Sequence, residues 1–242
     1  MIECSRDAWL SGVAGMSCFK LSGDGEPPAV RAALAAAGSG FFFSKVPVTS
    51  VGLTRRLCDA GFYLVDTNVV LEMPARPRTA APPAFEVALA QAADHAAAQA
   101  IAGSSFAFSR FHLDPLFPHA TADLIKREWI RSYCEGRRGD ALFVARKDGQ
   151  VAGFLAALVA KTGGKTVAVI DLIAVERHAR GNGVGPALVA RYHDHYAGQV
   201  DILRVGTQIA NVASLGLYRR CGFGVAESGY VLHAHVRDGA CL

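Results

Sequence analysis

The sequence predicts a mixed α/β (α+β) protein with a central, mostly antiparallel sheet flanked by helices. Residues 141–175 hold three consecutive apolar, β-branched runs separated by turn dipeptides, and beyond them strand-like and helix-like segments alternate. Residues 74–84, PARPRTAAPPA, carry four prolines and little that could enter a core, so they read as an extended linker. The expected organisation is a small N-terminal α/β domain over 1–78, a proline-rich linker over 79–84 and a larger domain over 85–242.

Residues 1–40 are weakly patterned. After them, GFFFSKVPV and GFYLVDTNVVLEM read as strands flanking TSVGLTRRLCDA, a short helix capped by Thr49 or Ser50 and ended by Gly61, which together make a βαβ-type unit. Beyond the linker, AFEVALA reads as a strand and QAADHAAAQAIAG as an alanine-rich helix ended by Gly103. SSFAFSRFHLDPLFPHA is an aromatic loop. In TADLIKREWIRSYCEG, Thr121 caps a helix with Leu124, Trp129 and Tyr133 on one face. ALFVARKDGQVAGFLAALVAKTGGKTVAVIDLIAV is a three-stranded meander turning at Asp148-Gly149 and Gly163-Gly164. A helix over about 184–196, a strand VDILRVGTQ, a helix from Asn211 to Gly222 and two strands, GFGVAES and YVLHAHV, follow.

Composition narrows the function classes. At 51% hydrophobic and 19% charged, the chain has an ordinary globular balance. Its formal charge of +4 is spread thinly, and short pairs such as Arg137-Arg138 and Arg219-Arg220 read as solvated surface, not a nucleic-acid face. A small polyanionic ligand suits that charge better. Cys4, Cys18, Cys58, Cys134, Cys221 and Cys241 include no C-x-x-C pair, no signal-peptide pattern opens the sequence, and no apolar run approaches the roughly 18 residues a membrane helix needs. A cytoplasmic location with no membrane partner is the expectation.

The chemistry concentrates in VIDLIAVERHARGNGVGPALVARYHDHY, where a strand runs through a glycine turn into a helix. A helix N-terminus presents unpaired amides and roughly half a positive charge, so it attracts anions. Gly181, Gly183 and Gly185 let the backbone approach a phosphate, and Arg180 adds a cation. The spacing G-x-G-x-G is not the dinucleotide fingerprint, and GGKT at 163–166 is a hairpin turn because a strand follows it where a P-loop needs a helix.

LIAVERHARGNGVGPALV resembles the acetyl-CoA loop of the GCN5-related N-acetyltransferase (GNAT) superfamily, which implies the GNAT fold and acetyl-CoA as co-substrate. The resemblance places the pyrophosphate on Arg180, Gly181, Asn182, Gly183, Val184 and Gly185, and the pantetheine arm along Ile173, Ala174 and Val175. Pro186 departs from the pattern by removing one donor after the third glycine. VGTQIANVASLGLYRRCGF resembles the family's second half-site, so Asn211 would bond the CoA arm and Tyr218 would stand near the sulfur as general acid. On spacing alone, Val212, Leu215 and Tyr218 equally fit a core-facing stripe. A phenol with pKa about 10 keeps its proton at pH 7 and can pass it to a thiolate.

A carboxylate must take the proton from the attacking amine. Asp171 lies two residues before Ile173 and so on the same face of an ideal strand, where it serves either as that base or in a structural pair. GFYLVDTNVVLEMP, SRFHLDPLFP, IKREWIRSY and VGTQIANVASLGLYRRCGFGVAESGYVLH are similar to the TDP-fucosamine N-acetyltransferases and related sugar-amine acetyltransferases. That resemblance implies Asp66 as base and Tyr218 as acid, with Ser109, Arg110, Phe111 and His112 on the acceptor side. Direct transfer in a ternary complex to a nucleotide-linked amino sugar is the resulting expectation. The alternatives are a protein N-terminus, polyamine or antibiotic acceptor, or a non-catalytic acyl-CoA-binding module. Cys221 lacks a His partner in sequence, and His193, His195, His233 and His235 read as surface residues without a third ligand, so no metal is expected. A homodimer stays open.

Overall fold

The computed structural model describes residues 1–77 and 85–242, and the expected linker over 79–84 lies outside the described residues. The weakly patterned start folds as β1 (Ile2–Arg6), α1 (Ala8–Ala14), β2 (Cys18–Gly23) and α2 (Pro27–Ala37). Asp7 caps α1 by accepting the Leu10 N–H at 2.9 Å, and the two prolines at the start of α2 stand where a missing N–H costs least. There follow β3 (Gly40–Pro47), α3 (Val51–Asp59), β4 (Tyr63–Pro74), β5 (Glu86–Leu89), α4 (His95–Ala102) and α5 (His119–Cys134). Next come β6 (Ala141–Lys147), β7 (Gln150–Thr162), β8 (Lys165–Val175), α6 (Val184–Tyr196), β9 (Ile202–Gln208), α7 (Val212–Arg220), β10 (Gly224–Arg237) and β11 (Ala240–Cys241).

Three local readings are corrected. Pro118, not Thr121, is the N-cap of α5, because a proline fixes φ at the helix start without losing a bond. Leu124 points outward at 38% exposure, while Ala122, Ile125, Lys126, Ile130 and Tyr133 form the buried face. The last two expected strands are a single β10, bent by a bulge at Ala226, which absorbs the register shift against β4.

Among the described residues the strands form one sheet in the order β1-β2-β3-β10-β4-β9-β8-β7-β6-β5, with β11 folded back on β10. In the N-terminal part the adjacent parallel pair joined by a helix is β2-α2-β3, one element earlier than the pattern suggests. β3 and β4 both run antiparallel to β10, which lies between them. The 141–175 meander forms as expected, and Asp148 at φ +51 with Gly149 at φ +78 gives its first hairpin the left-handed turn that matches strand twist.

α6, through Leu188, and α7 pack on one face against Leu71, Leu155 and Val205, whereas α4 and α5 cover the other face by setting Ile101 and Ile130 against Phe154 and Leu172. Phe42 and Leu232 face α2 and α3, and their neighbours Phe41 and Phe43 point the opposite way toward α1, α5 and Phe111. No helix of the described residues is long and apolar enough to cross a membrane.

Candidate active site

The sheet parts between β8 and β9. β8 and β9 are paired in parallel only from Val167 opposite Ile202 to Ile170 opposite Val205, and each strand then runs on without the other. Leu172 to Val175 stay bonded to β7 on one side and, among the described residues, have no strand partner on the β9 side. That leaves a backbone edge able to receive an extended ligand. Ile173 and Val175 pack toward the α6 face, while Ala174 is buried on the α4 and α5 side, so it offers the gap its backbone alone.

The loop after β8 begins with a short 3-10 turn and then takes two left-handed steps, at Gly181 (φ +80) and Gly183 (φ +89). Side chains rarely adopt this conformation, which explains two of the three glycines. Gly185 has a different reason: a Cβ there would meet Leu217 of α7 at 3.3 Å. The first bond of α6 runs from Ala187 N–H to Gly183 O at 3.1 Å, so the amides of Gly183, Val184 and Gly185 stand ahead of the helical ladder. Pro186 occupies another such position and removes one donor from the set. Arg180 does not reach over the turn. Its Nε donates to Val175 O and its Nη2 to Ser105 O, each at 3.1 Å, tying the loop down.

Asn211 caps α7 by accepting the Ser214 N–H at 3.2 Å. Of that helix only Tyr218 is fully buried, edge-on to Phe223; Leu215 packs half-buried against the same core and Val212 is 74% exposed, so the core stripe keeps two of its three members. Burial raises the Tyr218 phenol above its usual range, and it keeps its proton.

Across the sheet lies Asp66. A bulge at Val65 shifts the β4–β10 register and sets Asp66 on a rung with Val231 and Lys45. The carboxyl is only 6% exposed, and its Oδ2 has no hydrogen-bond partner among the described residues. Burial pushes it up to about 6, against the opposing pull of the Thr67 amide and the Lys45 charge. Beside it, Ile209 N–H bonds Thr67 O at 2.8 Å, so Asp66 lies where β9 ends.

Asp171 is placed differently from its expected side. It is the extra residue of a bulge in β8, since Ala156 pairs with Leu172 and Ala157 with Ile170. The bulge breaks the strict alternation and turns Asp171 toward α5, away from the face of Ile173. There Oδ2 accepts from Trp129 Nε1 at 2.8 Å, Tyr133 OH at 2.7 Å and Arg138 Nε at 2.7 Å, and Oδ1 accepts from Arg138 Nη2 at 3.2 Å. Asp66 Oδ2 has no partner among the described residues, and the two acids differ in that respect.

The aromatic loop is held by buried polar bonds. Ser109 Oγ meets His112 Nδ1 at 2.5 Å and His112 Nε2 meets Asp123 Oδ1 at 3.0 Å, fastening the loop to α5. Ser109, Phe111 and His112 are 6%, 2% and 8% exposed, and only Arg110 of this expected set is half-buried. Its guanidinium lies 3.9 Å over Phe43 and 4.3 Å over Phe111, with Nη1 at 3.4 Å from His233 Nε2.

Asp114, which the sequence reading passed over, is the hub beneath. It accepts from Tyr63 OH at 2.6 Å, Leu116 N–H at 2.9 Å, His233 Nδ1 at 2.7 Å and His235 Nε2 at 3.0 Å. With Nδ1 donating to Asp114, the neutral His233 ring offers Nε2 as the acceptor for Arg110. Burial lowers His233 to about 4. The expectation of surface histidines therefore fails for His193, His233 and His235, which are 6%, 0% and 8% exposed. Among the described residues no group of three or more His, Cys, Asp or Glu side chains is arranged to hold a metal.

Lys126 was also missed, although it occupies one position of the stripe 122, 125, 126, 129, 130, 133, where a helix of period 3.6 buries its side chains. It is 7% exposed, with Nζ 5.0 Å from the ring centres of both Phe106 and Trp129.

Residues 106–223, which include the strand parted from its parallel neighbour and the amide-rich turn after it, match the Acetyltransferase (GNAT) family. The chain carries a GNAT acetyltransferase domain. It is 30% identical over 195 residues to the spore coat polysaccharide biosynthesis protein SpsD of Bacillus subtilis (strain 168), an alignment covering 80% of this chain and 66% of that protein. Solved GNAT folds resemble it as well. A GCN5-related N-acetyltransferase from Sphaerobacter thermophilus superposes with a TM-score of 0.57 at 18% identity, over 86% of this chain and 63% of that one. A GCN5-related N-acetyltransferase from Kribbella flavida gives 0.58 at 18% identity over 90% and 80%. At these identities the two structures speak to the fold, and the GNAT arrangement of sheet and helices is shared.

Proposed function

We propose that the protein transfers an acetyl group from acetyl-CoA to the amine of a nucleotide-linked amino sugar, directly and within a ternary complex. The observation that carries the reading is the gap between β8 and β9, with the glycine turn after β8 and, at the end of β9, the Asp66 carboxyl whose Oδ2 has no partner among the described residues. The residues present fit acetyl-CoA: the amides of Gly183, Val184 and Gly185 suit a diphosphate, and the open edge of Leu172–Val175 suits the pantetheine amides. The part that SpsD, by its name, plays in spore coat polysaccharide biosynthesis supports a sugar acceptor here. A cytoplasmic setting goes with this reading, since acetyl-CoA is drawn from that pool.

In the reaction the amine nitrogen attacks the thioester carbon, a C–N bond forms and the C–S bond breaks. Asp66, ionised for the most part at pH 7 yet poorly solvated, takes the proton that the nitrogen gives up. Amides on the open edge of β8 hydrogen-bond the oxygen on which negative charge builds. Tyr218 donates a hydrogen bond to the leaving sulfur, and its proton follows as thiolate charge develops. Because burial makes that phenol a weaker acid than usual, its main effect is charge stabilisation rather than early protonation. Asp171, its lone pairs engaged by Trp129, Tyr133 and Arg138, positions α5 against β8.

The test is a thermal-shift panel of acetyl-CoA, longer acyl-CoAs and TDP- or UDP-linked amino sugars, followed by a thiol-release assay on the hits. Stabilisation by acetyl-CoA, together with thiol release that depends on an amino sugar, supports the reading. Release with polyamines or peptides and none with amino sugars overturns it.

A further inference from the structure

The ammonium of Lys126 poses an energetic question that the reaction leaves unanswered. It lies between Phe106 and Trp129 at 93% burial of the residue, and among the described residues no hydrogen-bond acceptor is paired with it. The rings return part of the lost hydration through their π faces, but a cation held almost out of solvent with no such acceptor remains costly. The nearest acid whose charge it feels, Asp171, is already bonded by Trp129, Tyr133 and Arg138. Its other charged neighbours are cations: Arg110, Lys45 and Arg138. Arg110, too, is bonded to a neutral ring, with no carboxylate among the described residues in a salt bridge to it. A methionine would fill the Lys126 position at similar volume without the charge, so packing alone does not call for lysine there.

We infer that Lys126 and Arg110 form an oxyanion subsite that takes the diphosphate of the acceptor. The inference rests on the acetyltransferase reading for the identity of the acceptor, while the subsite stands on its own geometry. Two cations against aromatic rings, on the sheet face that carries Asp66, offer charge-assisted bonds to phosphate oxygens and flat apolar surface for a base or sugar ring. Specificity follows from this: an amine acceptor lacking the diphosphate leaves both cations unpaired and binds more weakly.

The experiment is calorimetric titration of dTDP, UDP and the tricarboxylate citrate into the wild type and the Lys126→Met and Lys126→Arg variants, with melting temperatures for each. The expected result is diphosphate binding to the wild type, weakened roughly tenfold or more by Lys126→Met and largely kept by Lys126→Arg. The apo melting temperature of Lys126→Met should equal or exceed that of the wild type, and its acetyl-CoA affinity should be unchanged. No diphosphate binding to the wild type, equal affinity in Lys126→Met, or Lys126-dependent binding of citrate alone overturns the inference. The two readings fail separately. Lys126-dependent diphosphate binding without acetyl transfer to any amine sinks the proposed function and leaves the subsite. Transfer to nucleotide sugars with affinity indifferent to Lys126 does the reverse.

Discussion

Asp66→Asn separates a proton-accepting carboxylate from a structural one, because the two roles move stability in opposite directions. Burial pushes Asp66 up to about 6 in the folded protein from an ordinary value of 3.8, which corresponds to roughly 3 kcal/mol. A raised carboxyl means that the folded state holds its proton more tightly than the unfolded chain. Stability therefore falls as pH climbs from about 4 through 6, and it levels off above that range. Asparagine keeps the shape and removes the charge. At pH 7.5 the variant should be more stable than the wild type by up to about 3 kcal/mol, a rise of roughly 6–12 °C for a chain of this size, and the two should converge at pH 4. Turnover should drop by about 10²–10⁴-fold. The wild-type acid limb near pH 6 in kcat/KM should disappear from what remains. Melting curves across pH 4–8 and a thiol-release assay measure all three. A variant that melts lower than the wild type at pH 7.5, or retains turnover within tenfold, refutes the argument.

Three further outcomes are expected. Tyr218→Phe removes one hydrogen bond to a developing charge, so kcat should fall about 10²-fold with little change in the KM for acetyl-CoA. Gly183→Ala forces a side chain into φ +89 at a cost of about 1–2 kcal/mol and crowds the amides ahead of α6; calorimetry should show weaker acetyl-CoA binding without loss of the fold. Asp114→Ala strips four donors of their acceptor and should cost about 3–5 kcal/mol in urea melts. Asp114 is held below the usual carboxylate range by His233, His235 and Tyr63 despite its burial, and His233 is lowered to about 4. Both shifts make the unfolded chain the better proton binder, so this stability is present near neutrality and lost as pH falls below about 6.5. The variant should lose the part of the acid limb below about pH 4 that Asp114 itself supplies and keep the part above it, because burial lowers His233 and Asp114 only opposes that.

Features written in consecutive residues were legible in the sequence. The hairpins of 141–175, the glycine turn, the Asn211 cap and the length of α6 all follow from local periodicity and turn chemistry. Three kinds of feature were not. Asp171 was given the wrong face because one inserted residue in β8 cancels the period of two, and nothing in VIDLIAV marks the insertion. The Asp114 hub draws on partners 51, 119 and 121 residues away, a separation that no pattern spans. Lys126 did carry a signal, a charge on an apolar stripe, but lysines commonly reach solvent from such positions, and only packing against Phe106 and Trp129 shows that this one does not. The strand order was hidden too, since β10 joins β3 to β4 across most of the chain.

That late strand has a consequence for how the protein is made. β3 and β4 emerge from the ribosome long before the residues that will bridge them, about 150 positions earlier than Gly224. At roughly 5–20 residues per second, a delay on the order of 8–30 s passes before the seam can close. Throughout that interval the phenylalanine-rich Gly40–Pro47 and the valine-rich Tyr63–Pro74 each lack the neighbour they are shaped for, the state in which chains adhere to one another. Yield in a heterologous host should therefore respond to slower growth and chaperone supply more than to solubilising changes on the finished surface.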